Sequence, residues 1–480
     1  MSGLNERAEG PRTHGGAETF HLTPLEELRR TVLSCMLWEN EHYESGDSIS
    51  SRIKALVPQC QPRDVAALAT EARNAQHLRH VPLLLVRELA RLPKLGRIVG
   101  DTLAEVIQRP DEITEFMAIY WKDGKCPLSK QVKLGLARAF RKFDEYSFAK
   151  NEHADAKIKL RDVLFLVHGK PKDGMTGRTK HARKAGTDTQ IYALNQHEAL
   201  YKAIVDRTLK TPETHEVFMS AAAGDVDMAR EGWNNMLKEG KLGYMALLRN
   251  LRKMSLLGVD RGLIEQAIEA RKGASKVLPF RFIAAAREAP QFEGKLDSAM
   301  VQGLQSAKKL EGRTLIVLDV SGSMHSLLSA KSALNRLDAG AALCAILREQ
   351  CDDAVVYATA GNDHSRVHST ACVPARHGIA LVDAFNAAYR TLGGGGIFLK
   401  PVMDFLSARE KYDRIVVVTD EQDCALDYKD NPKLAEPGCQ KAYLINVASY
   451  KNGIGYGKWT HIDGFSEATI DFIRAVEQVV

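Results

Sequence analysis

Three oxygen-bearing side chains follow one strongly apolar run of the sequence at alternate positions. The run Leu315–Leu318 leads into Asp319, and Ser321 and Ser323 come next. A continuous apolar run of this kind predicts a central strand of a parallel sheet, buried on both faces. Open α/β sheets bind ligands beyond the carboxyl ends of their strands, and a carboxylate with two hydroxyls suits Mg²⁺. A Ser-Gly-Ser turn is also ordinary loop chemistry, but the carboxylate at the strand end favours a metal site.

A second carboxylate is expected at the same edge of the sheet. Asp420 directly follows the apolar run Ile415–Thr419, which predicts another strand. Asp420, Glu421 and Asp423 crowd one loop, as carboxylates do in some two-metal nucleases. No matched base or second carboxylate cluster supports that chemistry, and the sequence has no Walker loop, nucleophile elbow or zinc spacing. The sequence therefore predicts a protein without catalytic activity.

Strands and helices alternate through the C-terminal part of the chain, which we expect to form one domain over residues 311–480. This order predicts a doubly wound, Rossmann-like α/β domain with right-handed crossovers. Predicted strands cover 314–320, 354–360, 366–373, 414–419 and 442–447, and predicted helices cover 327–350, 378–391, 397–410 and 466–478.

Helical periodicity dominates residues 21–300, after a polar N-terminal tail or strap at 1–20. Leu85, Leu89 and Leu92 fall at i, i+4 and i+7, and similar stripes recur along this part of the chain. Prolines stand where helices are expected to begin. Short helices joined by short loops predict an α-solenoid of helix pairs, although a compact helical bundle stays open because no clean repeat is present.

Two predicted helices combine an apolar face with a basic one. In Ser129–Asn151 the basic side chains are Lys130, Arg138, Arg141 and Lys142, and in Leu242–Met254 they are Arg249, Arg252 and Lys253. Such side chains lie opposite the apolar stripe of their helix and could contact phosphates. A solvated basic face is the usual alternative for either helix alone.

A basic loop over residues 170–186 lies between these two helices. It contributes six candidate phosphate contacts, namely Lys170, Lys172, Arg178, Lys180, Arg183 and Lys184. The N-terminal part of the chain is also the more positive one. Residues 301–480 hold 19 Lys and Arg against 21 Asp and Glu, whereas residues 1–300 hold 47 Lys and Arg against 39 Asp and Glu. We therefore expect RNA to meet the N-terminal part, with a solubilising loop as the alternative.

Composition places the chain among soluble globular proteins. It has 480 residues, of which 45% are hydrophobic and 26% are charged, and no apolar run is long enough to cross a membrane. Its eight cysteines form no C-x-x-C pair, and the first 20 residues contain no apolar signal core. These features predict a cytoplasmic protein with reduced thiols and no membrane partner.

Three stretches of the chain resemble the Ro autoantigen (TROVE-domain) proteins, namely Asp162–Pro171, Gly240–Met254 and Leu278–Ala285. Leu-Leu-Arg-Asn-Leu at 247–251 is the most specific of the matches. The resemblance runs from about residue 25 to 480 and implies a HEAT-like helical-repeat ring followed by a von Willebrand A domain. It implies that structured small RNAs (Y RNAs) bind the outer surface and that single-stranded 3′ ends of misfolded RNAs enter the ring.

The resemblance also assigns roles to particular residues. His168 matches a family histidine near the RNA-binding surface, and Asp319, Ser321, Ser323 and Asp420 match the metal-ion-dependent adhesion site for Mg²⁺. The family's threonine ligand is missing, because this chain has a run of glycines at 393–396. The departure at 35–43 indicates a bacterial or phage type. At 151–155 an acidic segment replaces the family's basic one, so the resemblance alone does not imply the familiar mode of Y RNA binding, and the loop at 170–184 is the candidate to supply the lost charge.

The sequence therefore predicts an RNA-binding protein of the Ro type that acts in RNA quality control or processing. Its expected partners are Y-like or misfolded noncoding RNA and, through the von Willebrand A domain, an exoribonuclease or another protein. DNA is not expected as a partner. The alternative is a protein–protein adaptor whose metal site binds a partner's carboxylate.

Overall fold

The structure is a computed structural model that describes residues 22–33, 46–75, 78–152, 157–167, 199–210, 214–222, 224–274, 277, 279–304, 309–328, 334–392, 394–424, 436–448, 458–464 and 468–479. The chain divides into two compact units. One is Ser51–Phe218, and the other consists of the described residues within Met1–Ser50 and Met219–Val480. No described helix is long and apolar enough to span a lipid bilayer.

The unit Ser51–Phe218 is helical throughout its described residues. Several of its helices begin at a proline, as at Pro62 and Pro110, because the missing N–H of proline is not needed in the first turn. Its helices are α2 (Gly46–Leu56), which begins just before the unit, α3 (Pro62–Asn74), α4 (His80–Leu89), α5 (Ile98–Val106), α6 (Pro110–Tyr120), α7 (Lys130–Phe140), α8 (Glu145–Asn151), α9 (Leu160–Val167) and α10 (199–206).

The prediction of one helix over Ser129–Asn151 is wrong, because the chain forms α7 and α8 there. The Ser129 hydroxyl accepts a hydrogen bond from the Val132 amide at 3.3 Å and caps α7. The Asp144 carboxylate accepts one from the Ser147 amide at 2.8 Å and begins α8. A second capping residue inside the predicted span thus starts a new helix.

The second unit combines helices with one sheet. Its helices before the sheet are α1 (Pro24–Leu33), α11 (His215–Ala221), which begins just before the unit, α12 (Val226–Lys238), α13 (Tyr244–Leu256), α14 (Arg261–Ala270), α15 (Pro279–Glu288) and α16 (Glu293–Leu304). The predicted apolar stripe of α13 is confirmed, since all four of its members are buried: Leu247, Leu248, Leu251 and Met254.

The sheet has the strand order β3-β2-β1-β4-β5-β6. All neighbouring strands are parallel except β2 and β3, which are antiparallel. The strands are β1 (Leu310–Asp319), β2 (Cys351–Asn362), β3 (Val367–Cys372), β4 (Arg414–Thr419), β5 (Lys441–Asn446) and β6 (Thr460–Asp463). The helices between and after them are α17 (Arg336–Gln350), α18 (Gly378–Leu392), α19 (Leu399–Ser407) and α20 (Ala468–Val479). The predicted α/β class is confirmed, and β6 is a strand that the sequence did not predict.

Strand β1 lies inside the sheet and is buried on both faces, as its apolar run predicted. Ile316 and Leu318 join a core that includes α17 and α18. Leu315 and Val317 belong to a second core that includes α19. Successive side chains of a strand point to opposite faces of the sheet, so β1 contributes to both cores. The strand ends at Asp319.

Helices α12 to α16 and the sheet share one hydrophobic core. Asp297 of α16 accepts a hydrogen bond from the Ile379 amide at 2.7 Å, in the first turn of α18. Arg287 of α15 forms an ion pair with Asp338 of α17. The boundary expected between residues 300 and 311 therefore lies inside this unit.

Candidate metal site and candidate nucleic-acid interface

The carboxyl ends of β1 and β4 bring two carboxylates to the same sheet edge. These strands are parallel neighbours, with Leu318 opposite Val418. Asp319 is the last residue of β1, and Asp420 directly follows β4. The Thr419 hydroxyl donates a hydrogen bond to Asp319 Oδ2 at 2.6 Å, and Asp319 and Asp420 are both fully buried. The predicted placement of the two carboxylates at one edge is thus found.

The two serines lie beside Asp319. The Ser321 amide donates to Asp319 Oδ1 at 2.8 Å, which turns the chain back over the end of the strand. Ser321 Oγ and Ser323 Oγ are 3.2 Å apart, with Ser321 buried and Ser323 half-buried. One carboxylate and two hydroxyls therefore converge, a donor set that fits a hard divalent cation.

Burial and a like charge change the protonation of this edge. Burial, and then the negative charge of Asp420, raise the pKa of Asp319 to about 7, although hydrogen bonds from Thr419 and Ser321 act in the opposite direction. Two neighbouring carboxylates in a buried site favour a cation between them.

A cationic side chain already lies at this edge. Arg336 Nη1 is 3.6 Å from Asp420 Oδ2, and both side chains are at most 1% exposed. Arg336 is the first residue of α17, after Asn335, which caps the helix. Arg336 was not predicted as part of this site, because nothing in the local pattern around residue 336 links it to Asp420.

The glycine run beside the site leaves no room for a threonine in its described part. A Cβ on Gly395 would lie 2.4 Å from the Gly361 carbonyl oxygen of β2, and one on Gly396 would lie 2.4 Å from Cys424 Sγ. Gly394 has φ +65°, where a β-branched residue is strained. We therefore expect Gly395→Thr to destabilise the loop instead of supplying the missing hydroxyl.

The other carboxylates of the acidic loop are bound within the protein. Glu421 forms buried ion pairs with Arg30 of α1 and with His461 of β6, and Asp423 accepts a hydrogen bond from the Leu399 amide at 2.9 Å. Among the described residues no group of three or more His, Cys, Asp and Glu is placed to hold a metal ion. These contacts favour a structural role over the two-metal alternative.

The charges around Glu421 depend on one another. Burial raises the pKa of Glu421, and Arg30 and His461 oppose the shift. Burial lowers the pKa of His461, but the carboxylates of Glu421 and Asp463 outweigh it and raise that pKa above its ordinary value. Helix α1 is thereby held to the end of the sheet by buried charges.

The basic side chains predicted near α7 have different surroundings. Lys130 is exposed, and Arg138 is exposed in an ion pair with Asp101. Lys142 donates to the carbonyl oxygens of Ala104, at 2.8 Å, and Ile107, at the C-terminus of α5. Burial lowers the pKa of Lys142. Lys142 thus acts as a helix cap, and the half-buried Arg141 lies beside Tyr201.

The basic face of α13 is exposed as predicted. Arg249, Arg252 and Lys253 all reach solvent, and Arg252 pairs with Glu288 at 2.9 Å. Partial burial and the charge of Arg249 lower the pKa of Arg281 on α15. Two arginines that repel each other on one surface favour an anion there. Arg281 lies within the stretch Leu278–Ala285, but no pattern in the sequence marks it as a contact.

Two exposed aromatic residues lie beside basic side chains in the unit Ser51–Phe218. Tyr146 is 50% exposed, and Lys150 Nζ lies 6.0 Å from its ring centre. Phe165 is 53% exposed, with the Arg161 guanidinium 6.0 Å from its ring centre. Exposed aromatic rings with neighbouring cations are typical of surfaces on which nucleic-acid bases stack. Their signal in the sequence is an aromatic residue outside the apolar stripe of its helix.

Seven of the predicted contacts lie outside the described residues, namely His168, Lys170, Lys172, Arg178, Lys180, Arg183 and Lys184. Their assignment to RNA stays a prediction.

The fold defines a class of protein in which helices (here α12 to α16) precede an open, mostly parallel sheet and share a hydrophobic core with it. The TROVE domain family matches residues 207–392, which include α13 and α15. The fold is similar to that of the Ro (RSR) protein of Deinococcus radiodurans, with a TM-score of 0.54 and 17% identity over 94% of this chain and 99% of that chain. No curated protein sequence matches. The chain is therefore similar to the TROVE domain family over residues 207–392 and has the fold of a Ro protein, which confirms the predicted resemblance to that family. The von Willebrand A assignment stays a prediction.

Proposed function

We propose that this chain is a non-catalytic RNA-binding protein of the Ro type. Structured small noncoding (Y-like) RNA is its ligand on a basic outer surface, and single-stranded 3′ ends are a second ligand. The HEAT-like helical repeats would form the RNA-binding part, and the protein would act in RNA quality control or processing in the cytoplasm.

The observation that carries this proposal is the positive surface of α13 and α15. Arg281 lies close enough to Arg249 for burial and the charge of Arg249 to lower its pKa, and both residues fall in the segment that matches the TROVE domain. Backbone phosphates neutralise such like charges and release counter-ions as they bind. The exposed rings of Tyr146 and Phe165, each beside a basic side chain, support a preference for unpaired nucleotides, whose bases can stack on them.

The test compares one RNA hairpin with and without an unpaired 3′ tail. We expect the tailed form to bind more tightly, in a filter-binding assay at physiological salt. RNA that co-purifies with the full chain, once sequenced, identifies the natural ligand class. Equal affinity for the tailed and blunt forms would argue for binding to the outer surface alone.

Salt dependence tests the electrostatic part of the proposal. If about four to six phosphates are neutralised, log K should fall against log salt with a slope of about −3 to −4. Replacing Lys180, Arg183 and Lys184 together by glutamine should flatten this slope. A slope near zero in the unmodified protein would contradict the RNA function.

The second candidate is a protein–protein adaptor that acts through a von Willebrand A-type metal site. The convergence of Asp319, Ser321, Ser323 and Asp420 on one sheet edge favours it. These residues would hold Mg²⁺, which when bound would offer an open coordination position to a partner's carboxylate. An exoribonuclease is one such partner. A pull-down that depends on Mg²⁺ and persists after nuclease treatment would favour the adaptor.

A further inference from the structure

Arg336 places a buried positive charge beside Asp420, one of the two edge carboxylates. Its Nη1 lies 3.6 Å from Asp420 Oδ2, with both side chains shielded from solvent. Opposite charges at this distance attract each other with little screening when both are shielded from water. Any divalent cation that uses Asp420 therefore meets a positive charge already in place.

The chain positions Arg336 from two sides. Its backbone amide donates to the Ser326 carbonyl oxygen at 2.9 Å, three residues after Ser323. One helical turn later, Gly340 packs so closely on the sheet that a Cβ there would lie 2.7 Å from Leu318 Cδ1 and 3.3 Å from Val418 Cγ1. Residues four apart lie on the same helix face. Arg336 is thus directed to the sheet edge by the packing of α17.

We propose that Arg336 is a built-in counter-ion of this edge that competes with divalent cations for Asp420. The inference rests on the metal site proposed above. With both aspartates ionised, the two carboxylates and one guanidinium carry a net charge of −1, and a bound divalent cation would leave a net charge of +1. Without the guanidinium, the same cation would leave the edge neutral. A neutral buried site is favoured over a charged one.

The glycine run beside the site supplies no hydroxyl ligand that could offset the repulsion between Arg336 and a bound cation. A third hydroxyl would strengthen the hold on a cation, but the backbone of β2 fills the space beside Gly395. The edge therefore has few neutral ligands with which to bind a cation in the presence of Arg336.

Titration calorimetry with MgCl₂ on the RNA-free full chain tests this competition. The variants are Arg336→Gln, which removes the positive charge, and Arg336→Lys, which keeps a positive charge at this position. Arg287→Gln is the matched control, since Arg287 pairs with Asp338 of the same helix and not with Asp420. We expect Arg336→Gln to bind Mg²⁺ at least about tenfold more tightly than the unmodified chain. The other two variants should bind it as weakly as the unmodified chain does.

The outcomes separate this inference from the metal site itself. If the unmodified chain and Arg336→Gln bind Mg²⁺ equally, Arg336 does not compete and the metal site stands. If neither binds at about 10 mM Mg²⁺, the metal site and the competition are both wrong. If Arg336→Gln unfolds in chelator, Mg²⁺ should restore its circular dichroism spectrum. Failure of that rescue, with Arg336→Lys folded, would also contradict the inference.

Discussion

At the scale of single residues, the surroundings of Asp319 determine when it carries a charge. The pKa of about 7 lies above the ordinary value of 3.8, mainly because of burial and then because of Asp420. Between these values the folded protein keeps a proton that the unfolded chain has released, so its stability falls as pH rises through that window. In chelator, Asp319 should contribute a slope of up to about 1.4 kcal/mol per pH unit. Asp319→Asn should remove this contribution in urea unfolding curves, and an identical pH profile for both proteins would contradict it.

The pair Arg249 and Arg281 gives a second prediction at this scale. Because burial and the charge of Arg249 lower the pKa of Arg281, an RNA phosphate beside the two side chains is favoured. Arg281→Gln should weaken RNA binding and make the slope of log K against log salt shallower by about 1. Arg261→Gln is the control, because Arg261 is exposed on the adjacent helix α14 and pairs with Glu265 at 2.7 Å. Unchanged binding in Arg281→Gln would remove this surface from the RNA interface.

At the scale of elements, buried charges attach α1 to the end of the sheet. Arg30 and Glu421 are each at most 1% exposed, so removal of Arg30 leaves the buried Glu421 with His461 as its remaining ion-pair partner among those described. We expect Arg30→Met to destabilise the protein by about 3–5 kcal/mol. Arg30→Met combined with Glu421→Gln should be less destabilised than Arg30→Met alone. Additive losses in this double-mutant cycle, measured by urea unfolding, would show that the pair is not coupled.

The elements that the sequence predicted well are those specified by apolar runs. Strand β4 was predicted at its observed bounds, and the run before Asp319 gave a central strand buried on both faces. Strand β6 was missed because three of its four residues are polar, of which two, His461 and Asp463, are buried. Their burial depends on Glu421, about 40 residues earlier, and on Arg30, more than 400 residues earlier. The role of Arg336 was missed for the same reason, since only the folded loop after Ser323 brings it to Asp420.

At the scale of the whole molecule, charge separates two kinds of surface. Residues 1–300 carry a net charge of +8, and residues 301–480 carry −2. The candidate RNA contacts on α7, α13 and α15 belong to the positive part, and the carboxylate edge belongs to the other. Long-range attraction should therefore bring a polyanion to the helices first.

This division predicts that the metal edge and the RNA surface work independently. Asp319→Ala removes a proposed Mg²⁺ ligand from the end of β1, outside the basic helices α7, α13 and α15. It should abolish the Mg²⁺ heat in calorimetry and leave RNA affinity within about threefold, a difference of about 0.7 kcal/mol. The RNA titration is performed in chelator for both proteins, so that Mg²⁺ bound to the RNA does not contribute. Circular dichroism must show that the variant is folded. A large loss of RNA affinity in the folded variant would mean that Asp319 belongs to the RNA-binding function, because nothing else in that comparison has changed.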